Sequence, residues 1–401
     1  MIGDLHIHSR FSRACSTSIT FENLVKWAKI KGLHFLGTGD FTHPFWFKEI
    51  EQLRDNGKGI YYYQDFPFII TGEISLIYTA NEKGRKVHLN LLIPSLEIAK
   101  KIHEYLDEKG FRRDYDGRPI FGISCENFTK DMKSISKDIE IIPAHIWTPY
   151  FGVFGSKSGF DSLKEAFGSQ FKEIYAIETG ISSDPPMNWR ITELQNKAIV
   201  SFSDAHSFWP FRLGREATIF KKTDSYLELI KQIRENSFIG TIETNPAYGK
   251  YHYDGHRNCN FSCSPKKTKE LNGICPICYQ KLTRGVDYRV HELAKFQEGF
   301  QLPNGKLFYT LLPLHELISL KTGVSMQSVK VWNIYNDLIK KFENEFNILL
   351  DISKEKMVSE KVDLKLIDLI LKNRKNKIRV KPGYDGEYGI ALIDEKQSTL
   401  I

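Results

Sequence analysis

The chain has 401 residues, 41% of them hydrophobic and 26% charged, a composition typical of a globular protein with room for two or three domains. Its formal net charge is +7, a mildly basic balance that suits a polyanionic partner without requiring one. There is no apolar run of 18 residues and no basic start followed by an apolar stretch, so we expect no membrane span, no signal peptide and a cytoplasmic location.

Residues 1–245 alternate short apolar runs with helical patterns. DLHIHS predicts a first strand, and SITFENLVKWAKIKG predicts a helix capped by Ser18 or Thr20 and ended by Gly32. Further strands are predicted at LHFLGTGD, PFIITGEISLIY, RKVHLNLLIP, IEIIPAH, EIYAIETG and AIVSFSDAH. The repeated strand-then-helix order predicts a parallel α/β sheet or barrel covered by helices.

Histidine and carboxylate side chains recur where the predicted strands end, which is the edge that builds the site of an α/β barrel. His6 and His8 would share one face of the first strand, although for this pair alone a polar solvent face is the alternative. Together the side chains could ligate two or three divalent cations (Zn, Mn or Mg), and we expect Glu73, Asp204 and His206 to act in catalysis. The predicted ligands are His6, His8, Asp40, His43, Glu73, His88, His145, Asp204 and His206.

Four cysteines fall within twenty residues, at Cys259, Cys263, Cys275 and Cys278. Two closely spaced pairs separated by a loop are typical of a tetrahedral zinc site, and four thiolates leave no open position for catalysis. We therefore predict one structural zinc in a small module at residues 246–285. Four reduced cysteines without an ion are the alternative.

Residues 286–401 predict an α-helical DNA-binding domain that ends in a basic run, KNRKNKIRVK, and a turn-rich loop, KPGYDGEYG. Polar, basic and aromatic side chains here and in two earlier loops are the candidate DNA contacts: Ser182, Ser183, Asp184, His252, His256, Arg257, Arg379, Lys381 and Tyr384. A solvated face, a helix cap at Asp184 and a hydrogen-bonded linker at residues 250–258 are the alternatives. Residues 390–401 show no clear clamp-binding pattern. A sliding clamp is nevertheless kept as a candidate partner.

The motifs DLHIHS, TGDFTHP, GEIS, VHLNLL, PAHIWTP and SDAH together resemble the PHP (polymerase and histidinol phosphatase) superfamily. The resemblance implies a distorted (β/α)7 barrel that holds up to three ions. The implied ligand sets are His6, His8, Glu73 and Asp204; Glu73, His88 and His145; and His43 and His206 with Asp40 near. Many members carry a further histidine shortly after the first motif, whereas SRFSRACS has none, so the third set departs from the family pattern.

Longer matches resemble the endonuclease Q family over essentially the whole chain: TGDFTHP, ETGISSDPPMNW, YHYDGHRNC, GICPIC, GVDYRVHELA and KPGYDGEYG. This resemblance implies a nucleoid-associated DNA repair endonuclease acting on damaged double- or single-stranded DNA. It would cut the phosphodiester on the 5′ side of uracil, hypoxanthine, xanthine and abasic sites. The alternatives are a PHP phosphoesterase for a small phosphomonoester and a non-catalytic DNA-binding PHP module.

Overall fold

A computed structural model of the chain describes residues 1–392; residues 393–401, which make up most of the segment considered for clamp binding, lie outside the described part. The strands are β1 Ile2–Asp4, β2 Phe35–Gly37, β3 Arg54–Asp55, β4 Tyr61–Tyr63, β5 Phe66–Ala80, β6 Lys83–Ile93, β7 Ile120–Phe121, β8 Glu140–Pro143, β9 Ala176–Glu178, β10 Ala198–Val200, β11 Ala217–Ile219, β12 Gly240–Glu243, β13 Asp254–His256, β14 Phe261–Cys263, β15 Leu307–Thr310, β16 Arg379–Lys381 and β17 Ile390–Leu392.

The α-helices are α1 Phe21–Lys31, α2 Pro44–Ile50, α3 Leu96–Glu108, α4 Cys125–Ile135, α5 Leu163–Phe167, α6 Pro185–Trp189, α7 Tyr226–Arg234, α8 Pro265–Glu270, α9 Val286–Leu293, α10 Leu314–Thr322, α11 Val329–Phe342, α12 Lys354–Ser359 and α13 Leu364–Arg374. Short 3₁₀ turns and one π-helical turn, Asn347–Asp351, complete the described structure. Within residues 1–392, no helix combines the length and apolar character needed to cross a membrane.

The strands of the first 205 residues close into a barrel in the order β1, β2, β5, β6, β8, β9, β10 and back to β1. Parallel ladders join β1 to β2, β2 to β5 and β9 to β10. A backbone hydrogen bond from Ile146 to Glu178 (3.2 Å) links the chain after β8 to β9, and a parallel bridge between Ile7 and Ala205 closes the circle. The barrel that the sequence predicts is therefore present.

The pairing inside the barrel differs from an all-parallel sheet. β5 pairs with β6, and β6 with β8, in antiparallel ladders. The reason lies in the connection, because Asn81 and Glu82 both have positive φ (51° and 59°) and form a two-residue turn of the kind that joins adjacent antiparallel strands. The sequence pattern of apolar strands does not reveal this reversal.

The predicted first helix is present with the expected ends. The Thr20 hydroxyl accepts a hydrogen bond from the Asn23 amide (3.2 Å), and Gly32 ends the helix in the left-handed conformation (φ 96°). Leu24 and Ala28 are buried in the core, which fixes this helix against the outside of the barrel.

The chain after residue 285 is mainly helical, as predicted, but it is built into the barrel sheet. β15 pairs in parallel with β12, which reaches β1 through β11. A buried ion pair between Lys31 of α1 and Glu345 (2.7 Å) ties the same helical part to the barrel. The domain limits 1–245, 246–285 and 286–401 stay predictions.

The segment between β16 and β17 lies across the linker at residues 247–253. Backbone amides of Gly383, Gly386 and Gly389 donate to the carbonyls of residues 247, 250 and 248, and the Tyr253 amide donates to Gly383. This segment places Tyr388 beside the barrel mouth.

Candidate metal centre

The first cluster at the barrel mouth contains His6, His8, Glu73 and Asp204. One ligand atom from each lies within 4.8 Å of all the others. His8 Nε2 is 2.8 Å from Asp204 Oδ1, and His6 Nε2 is 3.6 Å from Glu73 Oε1. Two buried atoms, His6 Nε2 and Glu73 Oε2, have no hydrogen-bond partner, although such groups are normally paired. Buried nitrogen and oxygen ligands that lack hydrogen bonds and face one space fit a divalent cation.

The second cluster contains Glu73, His88 and His145. Glu73 Oε1 is 2.6 Å from His88 Nδ1 and 3.1 Å from His145 Nε2. Glu73 and His88 come from the paired strands β5 and β6, whereas His145 follows β8. Glu73 therefore contributes a ligand atom to both clusters.

A second layer of groups holds the imidazoles in position. His6 Nδ1 lies 2.9 and 3.0 Å from the two carboxylate oxygens of Glu178, and the His145 amide donates to Glu178 Oε2 (2.9 Å). His8 Nδ1 lies 2.9 Å from Asp40 Oδ1. A hydrogen bond on one ring nitrogen fixes the tautomer and aims the other nitrogen at a metal.

Glu178 is missing from the sequence-based predictions. It ends β9, so its position at a strand end on the barrel edge was a usable signal. It stands alone in sequence, however, without a second histidine or carboxylate nearby to mark it.

The predicted third set is not gathered into a cluster within residues 1–392. Asp40 accepts hydrogen bonds from the amide and hydroxyl of Ser9 (both 2.6 Å) and from the Ser12 hydroxyl (2.9 Å). These contacts fix its carboxylate beside His8 Nδ1, so Asp40 acts as the hydrogen-bond partner of His8. The His43 ring stacks on Phe11 with centroids 4.3 Å apart. Their roles as metal ligands stay predictions.

His206 remains beside the first cluster without joining it. Its Nδ1 donates to the carbonyl of Asp204 (2.8 Å), and its ring lies 4.6 Å from that of His8. Burial lowers the pKa of His206, and the neighbouring His8 lowers it further. A neutral imidazole at this edge stays a candidate for catalysis.

Neighbouring charges shift the pKa values of Glu73 and His8 in the direction opposite to the effect of burial. Burial alone would raise the pKa of Glu73, but His88 and His6 lower it well below its usual value. Burial alone would lower the pKa of His8, but Asp40 and Asp204 raise it to about 9. Cations would replace these protons, because metal ligation requires neutral imidazole and ionised carboxylate.

Three site residues have backbone conformations that favour glycine. Asp40, His145 and Asp204 have φ of 45°, 31° and 49°. Such conformations cost about 1–3 kcal/mol each and persist only where the surrounding structure enforces them. Here they turn the chain at the ends of β2, β8 and β10, so that the side chains face the barrel mouth.

The cysteine cluster that the structure brings together differs from the predicted four-cysteine set. The structure brings together Cys259, Cys275, Cys278 and His256, with His256 Nδ1 3.1 and 3.2 Å from the sulfurs of Cys259 and Cys278. Cys263 packs in the same buried cluster as Cys275 but is not one of these four residues, and its sulfur contacts the Thr268 hydroxyl (3.2 Å).

The β13–β14 hairpin explains the difference. Its turn places Cys259 beside His256, which pairs with Phe261. Cys263 lies two residues further from the turn, opposite Asp254, and is buried there. Three thiolates and one imidazole form an ordinary structural zinc set, so His256 replaces Cys263 as the proposed fourth ligand.

A cavity of about 350 Å³ adjoins the second cluster. His88, His145 and Asp204 form one wall, and Tyr150, Phe151, Tyr251 and Tyr388 supply aromatic surface; Ser182 and Lys250 also line it. The sequence analysis selected Tyr384 rather than Tyr388. Tyr384 is buried, with its hydroxyl 2.7 Å from Asn260 Oδ1, whereas Tyr388 is 55% exposed.

The other predicted DNA contacts differ in burial and in the contacts that they make. Ser183 is buried and donates to the Thr179 carbonyl (2.9 Å), and Asp184 caps α6 by accepting from the Met187 amide. His252 stacks on Tyr253 (5.3 Å) outside the cavity lining. Exposed or partly exposed side chains remain at Arg257, Arg379 and Lys381.

The comparisons with known proteins agree with this geometry. A crystal structure of endonuclease Q in complex with a 27-mer duplex that has an abasic lesion at the active site is 30% identical. The match covers 99% of this chain and 98% of that one, with a TM-score of 0.86. The chain belongs to the endonuclease Q family. The lesion-specific endonuclease of this family from Pyrococcus furiosus is 29% identical over 100% of this chain and 97% of its own, with a TM-score of 0.88.

Two curated relatives extend the comparison. The uncharacterized protein YqxK of Bacillus subtilis is 26% identical over 96% of this chain and 97% of its own length. The uncharacterized protein MJ0043 of Methanocaldococcus jannaschii is 32% identical over 252 residues, which are 61% of this chain but 31% of that longer protein. Residues 313–377 match the family described as the MJ0043 C-terminal domain. Much of the helical part of this endonuclease Q family member therefore matches a domain that is described as a separate family.

Proposed function

We propose that this protein is a metal-dependent DNA endonuclease that hydrolyses the phosphodiester on the 5′ side of deaminated bases (uracil, hypoxanthine and xanthine) and of abasic sites. The observation that carries the proposal is Glu73, whose carboxylate is shared by two ligand clusters beside an aromatic cavity. A full-length family relative binds duplex DNA with an abasic lesion at its active site, which supports the same substrate class here.

Two divalent cations fit the residues present. His6, His8, Glu73 and Asp204 would hold one, and Glu73, His88 and His145 the other. Cations bound there would lower the pKa of a water and stabilise the charge on the oxygens of a phosphodiester displacement. Glu178 and Asp40 hold His6 and His8 in the orientation that ligation needs. Metal analysis of the purified protein tests whether the ions are Zn, Mn or Mg and whether His43 and His206 hold a third ion.

The damaged nucleotide would leave the duplex and enter the cavity beside the second cluster. Its volume of about 350 Å³ is ample for one base, and Tyr150, Phe151 and Tyr388 offer ring faces for stacking. Flipping costs least where the base is mispaired or absent, which favours lesions over normal pairs. Ser182, which lines the cavity, would donate a hydrogen bond to a carbonyl created by deamination.

DNA phosphates would bind exposed basic side chains. Lys250 lines the cavity, and Arg257 and Arg379 expose their side chains on the linker and on β16. Such contacts fix the position of a duplex without reading its sequence. DNA binding would also place the protein at the nucleoid, and recruitment by a sliding clamp stays open.

A substrate panel tests the proposal directly. The purified protein is incubated with Mn or Mg and end-labelled duplexes that contain uracil, hypoxanthine, an abasic site or no lesion, with p-nitrophenyl phosphate in parallel. We expect one nick, 5′ to each lesion, and an intact control duplex. Release of p-nitrophenol without nicking would instead establish the phosphomonoesterase, and binding without turnover the non-catalytic module.

A further inference from the structure

Arg118 reaches the metal centre from a loop that no sequence motif marks. Its Nη1 lies 3.5 Å from Glu73 Oε2, and its side chain is 21% exposed. Among residues 1–392, no other lysine or arginine forms an ion pair with a carboxylate of either cluster. Partial burial lowers the pKa of Arg118, but the carboxylates, led by Glu73 and Asp204, raise it overall.

The backbone on both sides of Arg118 is fixed against the site. A Cβ on Gly117 would lie 2.2 Å from Asp40 Oδ2 and 2.3 Å from Ser12 Oγ, so only glycine allows the loop to approach this closely. On the other side, the carbonyl of Pro119 accepts from the Ser75 amide (3.0 Å), two residues from Glu73 in β5. Anchors on adjacent residues hold the guanidinium at the centre before any substrate arrives.

The charges explain what such a guanidinium is for. Cations bound in the two clusters would neutralise the negative charge of Glu73. Arg118 would then lie beside an electropositive site that attracts an anion. A guanidinium offers paired donors that match two oxygens of a phosphate, and the remaining exposure leaves it accessible. An arginine needed only as a counter-ion to Glu73 would become redundant once metal is bound.

We propose that Arg118 is a catalytic residue that binds the non-bridging oxygens of the scissile phosphate and stabilises the charge that builds on them during cleavage. The proposal rests on the proposed function for its substrate, a phosphodiester of DNA. Arg118 itself makes and breaks no bond and stays protonated throughout.

The test compares Arg118→Met and Arg118→Lys with Arg112→Met in metal-loaded, full-length protein. Arg112 is the matched control, because it belongs to the same loop and carries the same charge but is 73% exposed and pairs with Asp114. Binding of inorganic phosphate is measured by calorimetry, metal content by mass spectrometry, and nicking of an abasic duplex under single-turnover conditions.

We expect Arg118→Met to weaken phosphate binding by about 10- to 100-fold. It should slow nicking by about 100- to 1000-fold, the usual cost of losing one donor to transition-state charge. Metal content should be unchanged. Arg118→Lys should recover part of both losses, since it keeps the charge but loses the paired geometry. Arg112→Met should match the wild type.

Equal phosphate affinity in Arg118→Met and wild type would overturn the proposal, as would an equal loss in Arg112→Met or a loss of metal that accounts for the loss of activity. If the wild-type protein nicks no lesion duplex, the proposed function fails. The phosphate titration still decides the role of Arg118 in that case.

Discussion

Removing Glu178 should loosen the metal centre without removing a single proposed ligand. Its carboxylate is fully buried and accepts from the His6 ring on both oxygens and from the His145 backbone amide. One residue thereby positions a ligand of each cluster. In Glu178→Ala, the His6 ring would lose the partner that fixes its tautomer and could rotate away from the ion.

Loss of such an outer partner typically costs 10- to 100-fold in metal affinity, or about 1.4–2.8 kcal/mol. We expect Glu178→Ala to fall in this range, toward the upper end because two ligands are affected. The metal affinity of Glu178→Gln should lie between those of Glu178→Ala and the wild type, because an amide oxygen can still accept one of the hydrogen bonds. Competition with a chelator, followed by metal analysis of the protein, measures both changes.

Glu140→Ala is the matched control. Glu140 is equally buried and pairs with Arg234 (2.7 Å), but it begins β8, at the end of the strand remote from His145. This variant should lose thermal stability and keep its metal. If Glu178→Ala binds metal as tightly as wild type, or if Glu140→Ala loses metal to the same extent, the assignment of Glu178 as a positioning residue is wrong.

Three further predictions concern the centre, the module and the core. Asp204→Ala should abolish nicking of a uracil duplex but retain binding in a gel-shift assay, because it removes a ligand of the first cluster and leaves the DNA-binding surface; wild-type cleavage by the metal-replete variant would contradict this. His256→Ala should release zinc to a colorimetric chelator, whereas Cys263→Ser should retain it; the reverse result would restore the four-cysteine set. Burial raises the pKa of Glu243 from 4.5 to about 8, so the native state holds a proton that the unfolded chain loses in this range, and stability should fall as pH rises. Glu243→Gln should therefore raise the melting temperature more at about pH 9 than at about pH 6, and an equal effect at both would refute the argument.

The ligand clusters could be predicted because their signals are local and chemically narrow. His6 and His8 are two residues apart directly after β1, and Asp204 begins a short Asp-Ala-His motif after β10. Glu178 ends a strand but stands alone in sequence, and Arg118 belongs to no motif. A single carboxylate or guanidinium is common on any surface, and only the closed barrel shows that these two point inward.

The differences between the predictions and the structure have equally specific causes. The Cys-x3-Cys spacing suggested a ligand pair, yet the hairpin register moves Cys263 away from the turn and brings His256 beside Cys259. Tyr384 and Tyr388 belong to one glycine-rich loop, and sequence alone could not tell which ring packs inward. The antiparallel pairing of β5 and β6 depends on two positive φ angles at residues whose types do not require them.

The loop between β16 and β17 has a consequence for the order in which the site forms during synthesis. Every residue of the two ligand clusters lies between positions 6 and 204, but the aromatic wall at Tyr388 is held by residues 383–389. A ribosome would therefore release the complete set of metal-binding side chains long before the segment that completes the substrate cavity. A chain ending at residue 382 would contain every residue of both clusters but would lack Tyr388, so the two parts of the site enter the growing chain at different stages of synthesis.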